Sequence, residues 1–319
     1  MILTVTPNPS EDRTLQLDSA LVPGDVHRVQ AVISQPGGKG INVARVLTGA
    51  GLEALALLPA AAADPIVGGL SEIGLPYVLA PAAGPARLNL TVSSPDGQTT
   101  KLNGAGAPAT ASTTAALRAE ITRRLPGLTW LVLAGSLPPG MDPAWYADVS
   151  AEATAAGVKV ALDTSDAPLR ALAPRLPAAA PHLLKPNTFE LAQLTDADPT
   201  SLDQAASAGD PLPVAQVARR LVDQGVGAVL ATLGGAGAVL VTPEGAWFAT
   251  SPDVEVRSTV GAGDSSLAGY LIAESAAADA PARLRSAVAY GAAAAALPGT
   301  GLPTPELTAP EDSTVTHLF

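Results

Sequence analysis

Short apolar runs alternate with longer stretches of helical spacing over much of this chain. Residues 2–5, 130–133, 158–162, 182–184 and 228–232 are compact and apolar and read as buried strands, and 238–241 adds another. Between them, 115–125, 143–156, 169–172 and 214–224 place apolar side chains at helical intervals. Strands apolar on both faces need helices on both sides, so the alternation predicts an α/β fold around a mainly parallel sheet. Two regions obey a different rule. Residues 13–22 and 26–34 alternate apolar and polar positions, and so do 87–93 at Leu88, Leu90 and Val92. Pro95-Asp96-Gly97 then signals a hairpin into 99–103. With little helix among them, these stretches predict a small exposed sheet. Residues 196–213, rich in Ala, Ser, Asp and Pro, read as a loop with a weak helix, and 301–319 as a polar tail.

Two glycine turns each feed a helix. The run Gln35-Pro36-Gly37-Gly38-Lys39-Gly40-Ile41-Asn42-Val43-Ala44 leads into one marked by Val43, Val46 and Leu47, which stops near Gly49 and Gly51. Ser258-Thr259-Val260-Gly261-Ala262-Gly263-Asp264-Ser265 ends a β-like run at Val254 and Val256 and opens a helix through Leu267, Leu271 and Ile272. Gly261 and Gly263 let consecutive N–H groups point into one concavity. The helix start adds its free N–H groups and the positive end of its dipole. Such a place binds anions, phosphate above all. Asp264 beside it has two uses: a helix cap, or a general base for a hydroxyl attacking a phosphoryl group.

In a parallel sheet, ligands bind beyond the carboxyl ends of the strands. Ser136, Asp163, Lys185, Asn187, Thr232 and Asp264 all fall at those ends. Glu190 lies one turn into the helix after Asn187, a spacing that by itself makes an N-cap box. The Lys39 turn is not a Walker A loop, since Ile33 stands where Gly is needed and Gly40 where Ser or Thr is needed. No G-x-G-x-x-G dinucleotide fingerprint occurs.

Composition narrows the chemistry. At 319 residues and 47% hydrophobic, the chain can bury a large core, built from Ala, Val and Leu because aromatics are only 3%. With no cysteine there is no disulfide, thiolate zinc site or cysteine nucleophile, and His27, His182 and His317 form no metal-ligand pair. A net charge of −11 opposes nucleic-acid and anionic-membrane partners. The first residues lack a basic n-region and run into prolines, so they read as a strand and not a signal peptide. No apolar run reaches membrane-spanning length, and a cytoplasmic location is expected.

These motifs together resemble the ribokinase-like sugar kinases, and within them the phosphofructokinase B group. Carrying the resemblance, in order, are Thr6-Pro7-Asn8-Pro9, Gly37–Ala44, Gly135-Ser136-Leu137-Pro138-Pro139-Gly140, Lys185-Pro186-Asn187-Thr188-Phe189-Glu190 and Thr259–Asp264. The resemblance implies a single three-layer α/β/α kinase domain over 1–319 with a β-sheet lid from about 11–34 and 85–106. It also implies that the lid joins two copies as a homodimer. It implies ATP-dependent phosphorylation of a phosphorylated ketohexose with Mg²⁺, fructose 1-phosphate first, with tagatose 6-phosphate or fructose 6-phosphate as alternatives. On that pattern Asp264 is the base, and Gly261, Ala262 and Gly263 bind the developing γ-phosphoryl charge. Asn187 and Glu190 order Mg²⁺ through water, and Lys185, Asn187, Thr232, Gly234 and Gly237 serve the nucleotide. Asp12, Gly38, Asn42, Ser136 and Asp163 serve the sugar, and Lys39, Arg28 and Arg87 its phosphate. Ser10-Glu11 before Asp12, and Thr99-Thr100-Lys101, depart from the family pattern. A non-catalytic sugar or nucleotide sensor on this fold would need a lost base or a ruined anion hole, and both are intact.

Overall fold

The computed structural model of the protein describes residues 1–95 and 97–319; Asp96, in the expected Pro95-Asp96-Gly97 turn, lies outside the described residues. From the first residues, β1 (Ile2–Val5) leads to β2 (Ser10–Leu17), β3 (Val29–Gly37) and α1 (Lys39–Gly49). Next come β4 (Ala54–Pro59), α2 (Pro65–Glu72), β5 (Tyr77–Ala80), β6 (Arg87–Ser93), β7 (Thr99–Asn103) and α3 (Ala111–Arg124). Strand and helix then alternate through β8 (Trp130–Ala134), α4 (Trp145–Ala155), β9 (Lys159–Asp163), α5 (Asp166–Leu172) and β10 (Leu183–Leu184). The helices α6 (Thr188–Thr195), α7 (Pro199–Ser207) and α8 (Leu212–Asp223) precede β11 (Val229–Thr232), β12 (Ala238–Thr242) and β13 (Gly245–Ala249). Last are α9 (Ala262–Ser275), α10 (Ala280–Ala295) and β14 (Val315–His317).

Ten strands form the main sheet in the order β14-β13-β12-β11-β10-β9-β8-β1-β4-β5. It is parallel from β5 to β11 and antiparallel beyond. Successive residues point to opposite faces, which divides the core into two layers. Leu3, Val5, Leu131 and Leu133 meet Trp145 and Tyr146 of α4 and Leu221 of α8. Ile2, Trp130 and Val132 meet Ile41 and Leu47 of α1 and Leu267 and Leu271 of α9. The alternation of β and α therefore gives the three-layer arrangement expected, with the carboxyl ends of β8, β9, β10 and β11 on one edge.

Two local expectations are corrected. Residues 254–256 are not a strand: the place beside β13 is taken by β14, and Val256 is left 62% exposed. The polar tail therefore supplies a sheet strand at Val315–His317. The weak helix expected within 196–213 is α7, started by Asp198, whose carboxylate accepts from the amides of Thr200 and Ser201, with Pro199 in the first turn. Leu202 and Ala206, four apart, bury its inner face.

The second sheet has the order β3-β2-β6-β7. Its register puts Ser10, Asp12, Gln35, Gly37, Arg87, Asn89 and Asn103 on one face. Leu15, Val32, Leu88, Leu90, Val92 and Leu102 lie on the other. The polar face is turned to the body, because Gln35 Oε1 accepts from Thr300 Oγ1 at 2.5 Å in the loop after α10.

Candidate active site

Gly261, at φ +77, ends the loop before α9 in the left-handed region that glycine tolerates. Ser265 is the first to donate to a helical carbonyl, that of Gly261, so the amides of Ala262, Gly263 and Asp264 precede the first helical bond. Asp264 makes no capping bond. Its carboxylate is buried, and Oδ2 accepts from Asn42 Nδ2 at 2.8 Å. Burial pushes the Asp264 carboxyl up to about 6, with Lys39 opposing that rise, Asp163 adding to it and Asn42 opposing it. A carboxylate poised near neutrality beside unpaired amides suits a base that must take a proton and later release it.

Asp163, at the end of β9, is wholly buried between two ammonium groups. Lys39 Nζ donates to Oδ1 at 2.8 Å, and Lys185 Nζ stands 3.1 Å from Oδ2. The second contact is an ion pair by distance, but its angle makes no hydrogen bond. Burial would raise the Asp163 carboxyl, and Lys185 and then Lys39 outweigh it, so the group lies below the usual carboxylate range. Burial disfavours the Lys39 charge, yet Asp163 and Asp264 hold its ammonium above the usual lysine range. Lys185 lies against the anion hole: a Cβ on Gly263 would stand 3.3 Å from its Nζ. The Lys39 ammonium thus lies with Asp163 and Asp264.

Asn187 starts α6 in a complete capping box. Its Oδ1 accepts from the Glu190 amide at 2.8 Å, and Glu190 Oε2 accepts from the Asn187 amide at 2.9 Å. Thr232 bridges to Asn187, its amide donating to the Pro186 carbonyl at 3.0 Å. From there a cavity of about 540 Å³ runs between Thr232, Gly234 and Gly237 on one side and Ala262, Ser266 and Gly291 on the other. Gly237, at φ +115, is required because a Cβ would collide with the Ala249 carbonyl, and Gly291 because a Cβ would strike Ser266 Oγ. Of the residues expected at the nucleotide, Thr232, Gly234 and Gly237 line this cavity together with Ala262 and Gly263, while Lys185 and Asn187 stand outside its lining.

On the lid, Asp12 Oδ1 accepts from Ser10 Oγ at 2.7 Å and from Asn89 Nδ2 at 2.9 Å. Gly37 leaves room for this carboxylate, since a Cβ there would overlap it. Gly38, at φ +116, likewise clears Thr6, whose Cγ2 would be 2.6 Å from a Cβ. Arg87 Nη1 reaches the Gly104 carbonyl at 3.4 Å and leaves Nε buried without a partner. Asn8 Nδ2 joins the Ala105 carbonyl at 3.1 Å and Ser136 Oγ at 3.3 Å, tying β1 to the lid connection and the β8 loop.

Arg28 is not brought to this cluster. It precedes the far end of β3, about 30 Å along the strand from Gly37. Sequence reasoning missed Arg45, whose Nη1 is buried and unpartnered and whose charge acts on Asp12. The available signal was its spacing, one turn beyond Asn42 on α1. It also missed Asn89, in phase with Arg87 on β6.

A model of the pfkB family of carbohydrate kinases matches residues 11–307. The chain belongs to the pfkB family. It is therefore a sugar kinase with ATP as its phosphate donor. It is 36% identical to the 1-phosphofructokinase of Rhodobacter capsulatus over 99% of this chain and 96% of that one. The phosphofructokinase-2 of Escherichia coli in complex with substrates and products has the same fold, with TM-score 0.85 and 28% identity over 96% of each chain. A tetrameric inhibited form of that enzyme gives TM-score 0.79 at 28% identity over 92% of each chain.

Proposed function

We propose that this chain transfers the γ-phosphoryl group of ATP to fructose 1-phosphate, giving fructose 1,6-bisphosphate. The observation that carries the chemistry is the buried Asp264 carboxylate, fixed by Asn42 beside the unpaired amides of Ala262 and Gly263. Asp264 takes the proton of the attacking hydroxyl, and the amides with Lys185 oppose the charge growing on the phosphoryl oxygens. Asp163 keeps Lys39 charged and pairs with Lys185 before ATP arrives. Asp12, Gly38 and Ser136 receive the sugar, and Arg87 with Arg45 receives its phosphate, a role suited to planar guanidinium groups.

The choice of sugar rests on the 1-phosphofructokinase relatives. The structural likeness to a phosphofructokinase-2 supports fructose 6-phosphate as the second reading. A kinase assay over a panel of sugar phosphates and free sugars separates them. Arg87→Ala is expected to raise KM for the preferred phosphate, with KM for ATP little changed. The loss of one charge-assisted contact costs roughly ten- to a hundredfold in kcat/KM, from about 1.5–3 kcal/mol. Equal turnover of free fructose or ribose defeats the phosphate reading. Preference for fructose 6-phosphate or tagatose 6-phosphate corrects only the sugar.

Mg²⁺ fits the residues present in a limited way. Among the described residues no group of three acidic or histidine side chains could hold a metal. Glu190 keeps Oε1 free of the capping box, and the charges of Lys39 and Lys185 act on its carboxylate. Kinase Mg²⁺ commonly takes one or two carboxylates and otherwise phosphate and water oxygens, so Glu190 with Asn187 would hold it through water while it neutralises phosphate charge. We also read the chain as one catalytic domain, 1–319, that works in the cytoplasm, where ATP is supplied. Among the described residues no helix is long and apolar enough to cross a membrane. The outward apolar face of the lid supports a homodimer formed through it.

A further inference from the structure

Buried side-chain atoms without a hydrogen-bond partner are few in this fold, and three of them surround one carboxylate. They are Arg45 Nη1, Arg87 Nε and Asn89 Oδ1. Arg45 and Arg87 are the cations whose charge acts on Asp12, and Asn89 is its hydrogen-bond donor. A carboxylate can only accept, so the Asn89 amide must turn its NH₂ to Asp12 and leave its carbonyl oxygen unpaired. A buried acceptor left without a partner is unfavourable. The register pairs Asn89 with Asp12 and puts Arg87 two residues away on the same face, the face turned to the body. Asp12 Oδ1 is already filled by Ser10 and Asn89, while Oδ2, beside Gly37, accepts no hydrogen bond from any described residue.

We propose that Asn89 Oδ1 and Asp12 Oδ2 form a pair of acceptors for two neighbouring ring hydroxyls of the sugar, making Asn89 a specificity-determining residue. This rests on the sugar-phosphate reading of the same site. The two arginines offer only donors and suit the phosphate; the two free oxygens offer only lone pairs and suit hydroxyl groups. The site therefore demands both a phosphate and a pair of hydroxyl donors at a fixed separation. A substrate that loses one hydroxyl leaves an acceptor stranded, which is a stronger ground for rejection than a lost apolar contact.

The test compares the wild-type protein with Asn89→Ala and Asn89→Ser on fructose 1-phosphate, on its 3-deoxy and 4-deoxy analogues, and on any better sugar phosphate from the panel with its own monodeoxy analogues. Thermal melting checks that each variant is folded. With the parent sugar phosphate, Asn89→Ala is expected to raise KM about tenfold and to leave KM for ATP unchanged. With one of the deoxy analogues the variant and the wild type should be equal, because the hydroxyl that Asn89 accepts is gone. Asn89→Ser should lie between them. An equal penalty on the parent and every deoxy analogue overturns the inference, since Asn89 would then act only by holding Asp12. So does the absence of any penalty. A wild type that turns over none of the sugar phosphates overturns the proposed function as well, which tells the two failures apart.

Discussion

Asp264 is held by opposing influences: burial drives it toward the neutral acid, while Lys39 and the Asn42 amide favour the carboxylate. The balance at about 6 predicts that kcat falls as pH drops through that value, because the base must be ionised to take a proton. The sign for stability is opposite. A carboxyl raised from 3.8 to about 6 on folding binds its proton more tightly in the folded state, so stability declines as pH rises through that window. Asp264→Asn is therefore expected to lower kcat by roughly 10²–10⁴-fold. Its melting temperature at pH 7 should be no lower than that of the wild type, with any gain vanishing near pH 4. Near-normal turnover in this variant would remove Asp264 from the mechanism.

At the scale of one element, α1 joins the site. Lys39, Asn42 and Arg45 are spaced by three and share one side of the helix. The first pairs with Asp163, the second with Asp264, and the charge of the third acts on Asp12. The helix is entered through Gly37, whose missing Cβ makes room for Asp12. Gly37→Ala should displace that carboxylate and raise KM for the sugar substrate at least about tenfold, with KM for ATP and the fold retained, as steady-state kinetics and circular dichroism would show. An unchanged KM would mean that Asp12 does not touch the sugar. The glycine turn and the helix were legible in the sequence. The place of Arg45 beside Asp12 was not, because Asp12 arrives from a separate sheet. One short element was lost for a related reason. β14 has three residues and is made by pairing with β13. Val254 and Val256 alternate like a strand, but a strand needs a free edge, and β14 holds it.

Across the molecule, the two faces of the lid sheet divide the work. The inner face gathers Asp12, Arg87 and Asn89 over the body, and the outer face presents apolar side chains to solvent. Val32 and Leu102 there are 58% and 57% exposed, an arrangement costly for a lone small sheet. Val32→Glu combined with Leu102→Glu is expected to halve the mass measured by light scattering, provided the wild type is a dimer. A monomeric wild type, or a double variant that stays dimeric, would remove the lid from the interface.

The capping box at the start of α6 sets an order of events. Asn187 Oδ1 and Glu190 Oε2 are occupied in holding the helix together, so this box by itself offers a divalent ion one free carboxylate oxygen, under the charges of Lys39 and Lys185, which repel it. Mg²⁺ should consequently enter already chelated by ATP, and titration calorimetry of the free protein with MgCl₂ should show no binding in the low millimolar range. Glu190→Gln can still accept from the Asn187 amide and so should keep its melting temperature, while the Mg²⁺ concentration for half-maximal rate rises at saturating ATP. Saturable Mg²⁺ binding without nucleotide, or an unchanged Mg²⁺ requirement in the variant, would leave Glu190 only as the clasp of its helix.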